Sequence, residues 1–181
     1  MKKNIFLAAV LFLLATTLYA QQYKPVDAGS SVKFLIKNFG LNVDGSFKGL
    51  DGTIVFNPDN LSASAFKVTV DAATVNTGNG KRDGHLKKEE YFDAAKYPKI
   101  KFTSTKISGT GKANNYTVEG TVTIKGVSKA VSFPFSISPS SGVTVFTGQF
   151  KLNRRDFKVG GKSLVMSDEV TVVLNISAVK Q

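Results

Sequence analysis

Between Ser31 and Lys37 the side chains alternate. Val32, Phe34 and Ile36 share one face, and Ser31, Lys33, Leu35 and Lys37 share the other. A period of two marks a half-buried β-strand, because successive side chains on a strand point to opposite faces. The signal recurs along the chain. Phe66, Val68 and Val70 alternate with Lys67, Thr69 and Asp71; Ile100 and Phe102 alternate with Lys99, Lys101 and Thr103. Tyr116, Val118, Val122 and Ile124 form another apolar set, followed by Val131, Phe133, Phe135 and Ile137, then Phe146, Phe150 and Leu152. Val170, Val172, Leu174 and Ile176 form the last.

Turn-forming residues separate these runs. Leu50-Asp51-Gly52 falls between a strand holding Val43 and Phe47 and one holding Ile54 and Phe56, and Asn57-Pro58-Asp59-Asn60 ends the latter. Gly109 to Asn115, Lys125-Gly126 and Pro139 to Gly142 mark later turns. Short connections imply antiparallel neighbours. Arg82 to Lys96 breaks the pattern: it is charged and rich in helix formers, with Asp83 as an N-cap and Tyr97-Pro98 as a stop. This predicts one or two short helices inserted mid-chain, with Leu86 and Phe92 turned to the interior and Lys87, Lys88 and Glu89 to water. Eight or so strands with one helical insertion predict an all-β closed barrel, which leaves no edge strand, with a β-sandwich as the competing architecture.

The first twenty residues read as a secretory leader: Lys2 and Lys3, the apolar run Ile5–Leu14, and small residues up to a cleavage site near Ala20. That run is shorter than the ~20 residues a bilayer crossing needs. Residues 21–181 then form a single domain that is periplasmic or secreted. Without Lys2 and Lys3 the formal charge of +11 becomes +9. Such a surface favours transient contact with anionic membrane lipids, and secretion sets nucleic acid aside.

Composition narrows the chemistry. The chain has no Cys and a single histidine, His85, which argues against a metal site, a disulfide or a cysteine nucleophile. Gly161-Lys162-Ser163 lacks the first glycine of a phosphate-binding loop, since Asp156 stands there. No cofactor and no catalytic residue is expected. An enzyme acting on a hydrophobic substrate through Asp83 and His85 is the alternative reading, and an outer-membrane barrel is a weaker one, because the outward positions hold Lys, Thr and Glu. The chain also holds 14 Phe and no Trp. A lumen lined by Phe and aliphatic residues suits an apolar ligand with little polar structure to recognise.

Family-like motifs gather at the insertion. The run from Val75 to Leu86 (VNTGNGKRDGHL), Glu90-Tyr91-Phe92-Asp93, Tyr97 to Ser104, Val118 to Lys129, Asn153-Arg154-Arg155-Asp156-Phe157 and Asp168-Glu169-Val170 stand in order along the chain. They resemble the YceI-like family of periplasmic polyisoprenoid-binding proteins. That resemblance implies an extended lipocalin-like antiparallel barrel of eight strands with a helical cap, and a tunnel for an isoprenoid or other long-chain lipid. Two departures stand out. Tyr91-Phe92 replaces a frequent Phe-Phe, and Lys158-Val159-Gly160-Gly161 follows Asp156-Phe157 where a Gly is usual.

The expected ligand contacts are Phe34, Ile36, Phe56, Phe66, Val68, Leu86, Phe92, Phe102 and Phe133, with Arg82, Asp83 and His85 where the insertion meets the barrel. Arg82 is expected to pair with Asp83, Asp93 or Asp156 rather than to hold a head group, because a buried unpaired Arg is costly. A homodimer remains an open alternative to a monomer.

Overall fold

Each alternating run becomes one strand of a single antiparallel sheet that closes on itself. The computed structural model describes residues 21–140 and 142–181, so the expected leader and its cleavage site near Ala20 lie outside the described residues. The strands are β1 (Gln21–Pro25), β2 (Ser31–Asn38), β3 (Leu41–Phe56), β4 (Ala65–Asn76), β5 (Lys99–Gly109), β6 (Asn115–Ile124), β7 (Val127–Ser140), β8 (Val143–Asn153) and β9 (Met166–Lys180). From β2 to β9 each pairs with the next in sequence, and β9 returns to β2. The result is an up-and-down barrel in which β2 to β9 each have a hydrogen-bonded strand on both sides.

Nine segments fill eight positions. β1 and β2 each pair antiparallel with both β3 and β9, at different heights. They are therefore one strand interrupted at residues 26–30. The break has a function in the neighbouring strand. Asp27, within it, accepts hydrogen bonds from the backbone N–H groups of Gly49 (3.0 Å) and Leu50 (2.9 Å).

Those two N–H groups belong to a correction. Leu50-Asp51-Gly52 is not a turn; β3 runs straight through it as one strand of 16 residues. The register against β4 slips between Ser46 and Lys48 and again between Lys48 and Asp51, and Gly49 and Gly52 take positive φ of 73° and 129°. Turn-type residues also serve β-bulges, which bend a strand around a barrel without reversing it. The bulged N–H groups lose their ladder partners, and Asp27 and the Thr74 hydroxyl (to Lys48 N–H, 2.8 Å) supply new acceptors.

The helical insertion, α1 (Gly80–Leu86), is shorter than expected and starts earlier. Its N-cap is Asn79, whose side chain accepts from the Arg82 N–H at 3.1 Å, so Asp83 lies inside the helix and is not its cap. Beyond Leu86 the chain folds back in tight turns: Phe92 N–H bonds Leu86 O (3.0 Å), and Asp93 adopts φ 47°. That reversal brings Leu86 and Phe92 together, which a continued helix would not do.

One end of the barrel is solid. Tyr23, Ile54, Phe56, Phe66, Phe135, Phe146 and Ile176 are buried there in one cluster. Their rings meet edge to face, with Phe66–Phe135 centroids at 5.4 Å, Tyr23–Phe146 at 5.8 Å and Phe56–Phe146 at 6.2 Å. Each such pair adds about 0.5–1.5 kcal/mol beyond its area burial.

Candidate functional site

Toward the other end the same alternation produces a hollow. Phe34, Ile36, Phe47, Val68, Phe102, Phe150 and Val172 point inward but are only half-buried, because they face empty space rather than a packed core. They line a cavity of about 230 Å³ whose wall is overwhelmingly aliphatic and aromatic. On β9 the wall runs from Ile176 to Met166. Ten residue-to-residue steps of ~3.3 Å each, on strands tilted by about 35–45°, make a slot on the order of 25 Å deep.

Three inward glycines make room for the rings. Gly45 lies opposite Phe34, and a Cβ there would sit 2.3 Å from the ring. A Cβ on Gly120 would come within 2.7 Å of the Phe102 ring, and one on Gly148 within 3.3 Å of Phe133. Each ring therefore lies along the wall over a bare backbone instead of crossing the lumen. Phe133 also stacks on Phe150, with centroids 4.6 Å apart.

The insertion covers part of the open end. Phe92 packs edge-on against Phe47 at 5.3 Å, and Leu86 and Tyr91 join the wall beside it. Lys87, Lys88 and Glu89 are exposed. A hydrogen bond from Gly160 N–H to Glu90 O (2.8 Å) ties the insertion to the connection between β8 and β9.

A polar clasp holds α1 to the end of β4. Thr77 donates to the Asp83 carboxylate through both its backbone N–H (2.8 Å) and its hydroxyl (2.5 Å). Arg82 donates to the Thr77 hydroxyl (Nε, 2.7 Å) and to the Thr77 carbonyl (Nη2, 2.8 Å). The hydroxyl bond from Thr77 is the main cause that holds the Asp83 carboxyl below its ordinary value of 3.8, with Arg82 and Lys87 also favouring its charge. Arg82 thus faces Asp83 through Thr77. The direct ion pair with Asp83, Asp93 or Asp156 expected from the sequence does not form among the described residues.

Of the twelve expected contacts, Phe34, Ile36, Val68, Arg82, Leu86, Phe92, Phe102 and Phe133 line the cavity. Phe56 and Phe66 share the inward phase but sit in the solid end. Asp83 is turned to Thr77, and His85 is exposed, with its ring against Tyr91 (5.0 Å) and Nε2 3.7 Å from Glu90.

One wall residue belongs to a family-like motif, Asn153 to Phe157, but was not among the expected ligand contacts. Arg154 is only 4% exposed. Its guanidinium donates to Ser167 O (2.9 Å), Val159 O (2.9 Å), Gly161 O (3.0 Å) and Asp168 Oδ1 (2.8 Å). The charge is thereby compensated, and the guanidinium braces residues 159–168 beside the mouth. Lys158 caps the preceding 3-10 turn with φ 57° and ψ 31°, and its carbonyl accepts from Lys125 Nζ at 3.0 Å.

Comparison with known proteins agrees with this architecture. The YceI-like domain matches residues 23–178. Protein YceI of Salmonella arizonae is 31% identical over 193 aligned residues, covering 100% of both chains. Among solved structures, BcnA of Burkholderia cenocepacia superposes with a TM-score of 0.78 at 27% identity, over 83% of this chain and 96% of that one. The Campylobacter jejuni YceI protein gives 0.68 at 31% identity, over 78% and 86%. A polyisoprenoid binding domain from Saccharophagus degradans, implicated in plant cell wall breakdown, shares the fold at 18% identity and a TM-score of 0.68, over 90% and 99%.

Proposed function

The chain belongs to the YceI-like domain family, and from that premise we propose that it is a periplasmic or secreted carrier for a long isoprenoid lipid, tail in the lumen. The observation that carries this reading is the hollow itself: a deep slot walled by Phe and aliphatic side chains, with rings held flat over glycines so that the space stays open. The Saccharophagus degradans domain, described as polyisoprenoid binding, supports the ligand class through the shared fold.

Burial of each five-carbon unit contributes roughly 3–4 kcal/mol at ~0.8 kcal/mol per carbon group. A long tail would then pass the practical ceiling of about 18–21 kcal/mol, so the entropy of ordering the chain offsets much of the sum. Such a site holds apolar chains firmly and discriminates weakly by length, as a carrier requires. Arg82 and Thr77 stand at the insertion end of the wall, where a polar head would lie. On this reading the protein binds and does not catalyse. Asp83 is committed to Thr77 and His85 lies outside the cavity wall, so neither is presented to a ligand in the lumen.

Native mass spectrometry of protein purified from its secretory compartment, with extraction of the bound lipid, tests the reading. The expected result is a co-purified isoprenoid species and an N-terminus near Gln21. Recovery of only short polar ligands, with no uptake of a fluorescent polyprenol by delipidated protein, would overturn it.

A further inference from the structure

At one side of the mouth the chain places large apolar side chains at loop tips in water. Leu164 is 99% exposed, Phe39 73% and Leu41 72%, and Val165 is 41% exposed. These residues come from two loops joined into one rim, since Phe39 N–H bonds Val165 O at 2.8 Å. Next to that bond, Asn38 and Met166 pair across β2 and β9, and both line the cavity.

The hairpin between β2 and β3 adds a second oddity. Phe39 and Gly40 form its two-residue turn with φ of 51° and 75°. A turn of this kind normally carries Asn or Asp before Gly, because other side chains are disfavoured at positive φ. Here an aromatic ring occupies a backbone position that disfavours it and a solvent position that disfavours it. Neither serves folding, so the ring is placed for contact outside the chain.

We infer that Phe39, Leu41, Leu164 and Val165, with Lys37 and Lys162, form the surface that docks the barrel mouth on an anionic lipid bilayer. The inference rests on the carrier reading above. Three features point to a bilayer as the occupant. The apolar groups are separate projecting tips, which suit a fluid hydrocarbon layer better than the close shape complementarity of a protein interface. Exposed Lys37 and Lys162 each lie two residues from a tip, where a cation meets anionic head groups as the tip inserts. The rim also adjoins the cavity wall at Asn38 and Met166, so a tail leaving the lumen there enters hydrocarbon directly. Arg154 and the Ser163 hydroxyl, which accepts from Val165 N–H (3.2 Å) and Met166 N–H (3.0 Å), hold the second tip in place.

The test is vesicle flotation with protein produced from the full chain and purified after any processing. Vesicles of phosphatidylcholine alone are compared with a mixture of phosphatidylcholine and phosphatidylglycerol. Binding to the mixed vesicles should exceed binding to the neutral ones and fall with salt. It should drop more than about tenfold in the double variant Phe39→Ser, Leu164→Ser, given the apolar area lost. Lys37→Glu with Lys162→Glu should remove the preference for the mixture. Because the chain has no Trp, Phe39→Trp is a clean reporter, and its emission should shift to the blue on the mixed vesicles. Co-purified lipid should stay unchanged in the tip variants, which separates this surface from the lumen: absence of lipid from wild type and variants alike would count against the carrier reading instead. Equal flotation of wild type and tip variants overturns the inference. So does a dimer in sedimentation that the tip substitutions dissociate while vesicles are not bound, because the rim is then an interface between copies.

Discussion

The ring of Phe34 lies directly over Gly45, its register partner across β2 and β3, so closely that a methyl on Gly45 would fall 2.3 Å from the ring edge. Gly45→Ala should push the ring into the lumen. The expected cost is about 1–3 kcal/mol of overpacking, together with loss of bound lipid. The paired change Phe34→Leu should restore much of the stability. Denaturant unfolding of the four-member cycle checks the coupling; additive effects would show that the two residues do not meet.

Position along the barrel should separate stability from binding. Phe66 is 8% exposed inside the aromatic plug, whereas Phe102 is half-buried against the cavity. Phe66→Ala should destabilise by about 3–5 kcal/mol, as buried Phe truncations do. Phe102→Ala should cost clearly less and change the amount or kind of co-purified lipid. Equal stability losses in the two variants would place both rings in packed core.

Arg154 satisfies three carbonyls and one carboxylate from a nearly buried position. A Lys ammonium is a point charge and cannot fork among acceptors so arranged. Arg154→Lys should therefore leave part of this buried acceptor set without a donor, costing about 1–3 kcal/mol. Chemical denaturation measures it, and a loss under about 1 kcal/mol would mean the brace is dispensable.

The Asp83 clasp has a pH signature. Its carboxyl titrates below 3.8 in the folded chain because the charged form accepts from Thr77. A depressed pKa gives stability that is present in full above the unfolded value and is lost as pH falls through the folded one. Amide protection in α1 should stay constant down to about pH 4 and decline below it. Thr77→Val should lower that protection and move the Asp83 titration upward. An Asp83 that titrates at or above 3.8 in the wild-type chain would show that the hydrogen bonds do not favour its charge.

Periodicity revealed which face each strand buries, and the barrel followed from edge closure and the family resemblance, with a β-sandwich left as the competitor. Periodicity could not reveal height along the barrel. Phe56 and Phe66 read like Phe34 and Phe102 in phase, yet the first pair plugs one end and the second lines the hollow. The contribution of Gly45 was hidden because it depends on a cross-strand partner, and register is a property of the folded sheet. Arg154 stood within a family-like motif, but its bracing role was hidden for a related reason, since most of its acceptors are backbone carbonyls, which every sequence contains. At Leu50-Asp51-Gly52 the residues suit a turn and a bulge equally well, and only the pairing of β3 with β4 and β1 decides between them.

The interrupted strand made by β1 and β2 sits between β3 and β9, so the seam of the barrel joins the start of the described chain to its end. Gln22 and Gln181 close that seam with paired hydrogen bonds of 2.8 and 2.9 Å. Until β9, fifteen residues long, is in place, β2 and β8 both present open edges and no enclosed hollow exists. Contacts of such long sequence separation form late and slowly. On the carrier reading proposed above, a chain built this way has no enclosed space for a ligand until its last described strand has closed the sheet.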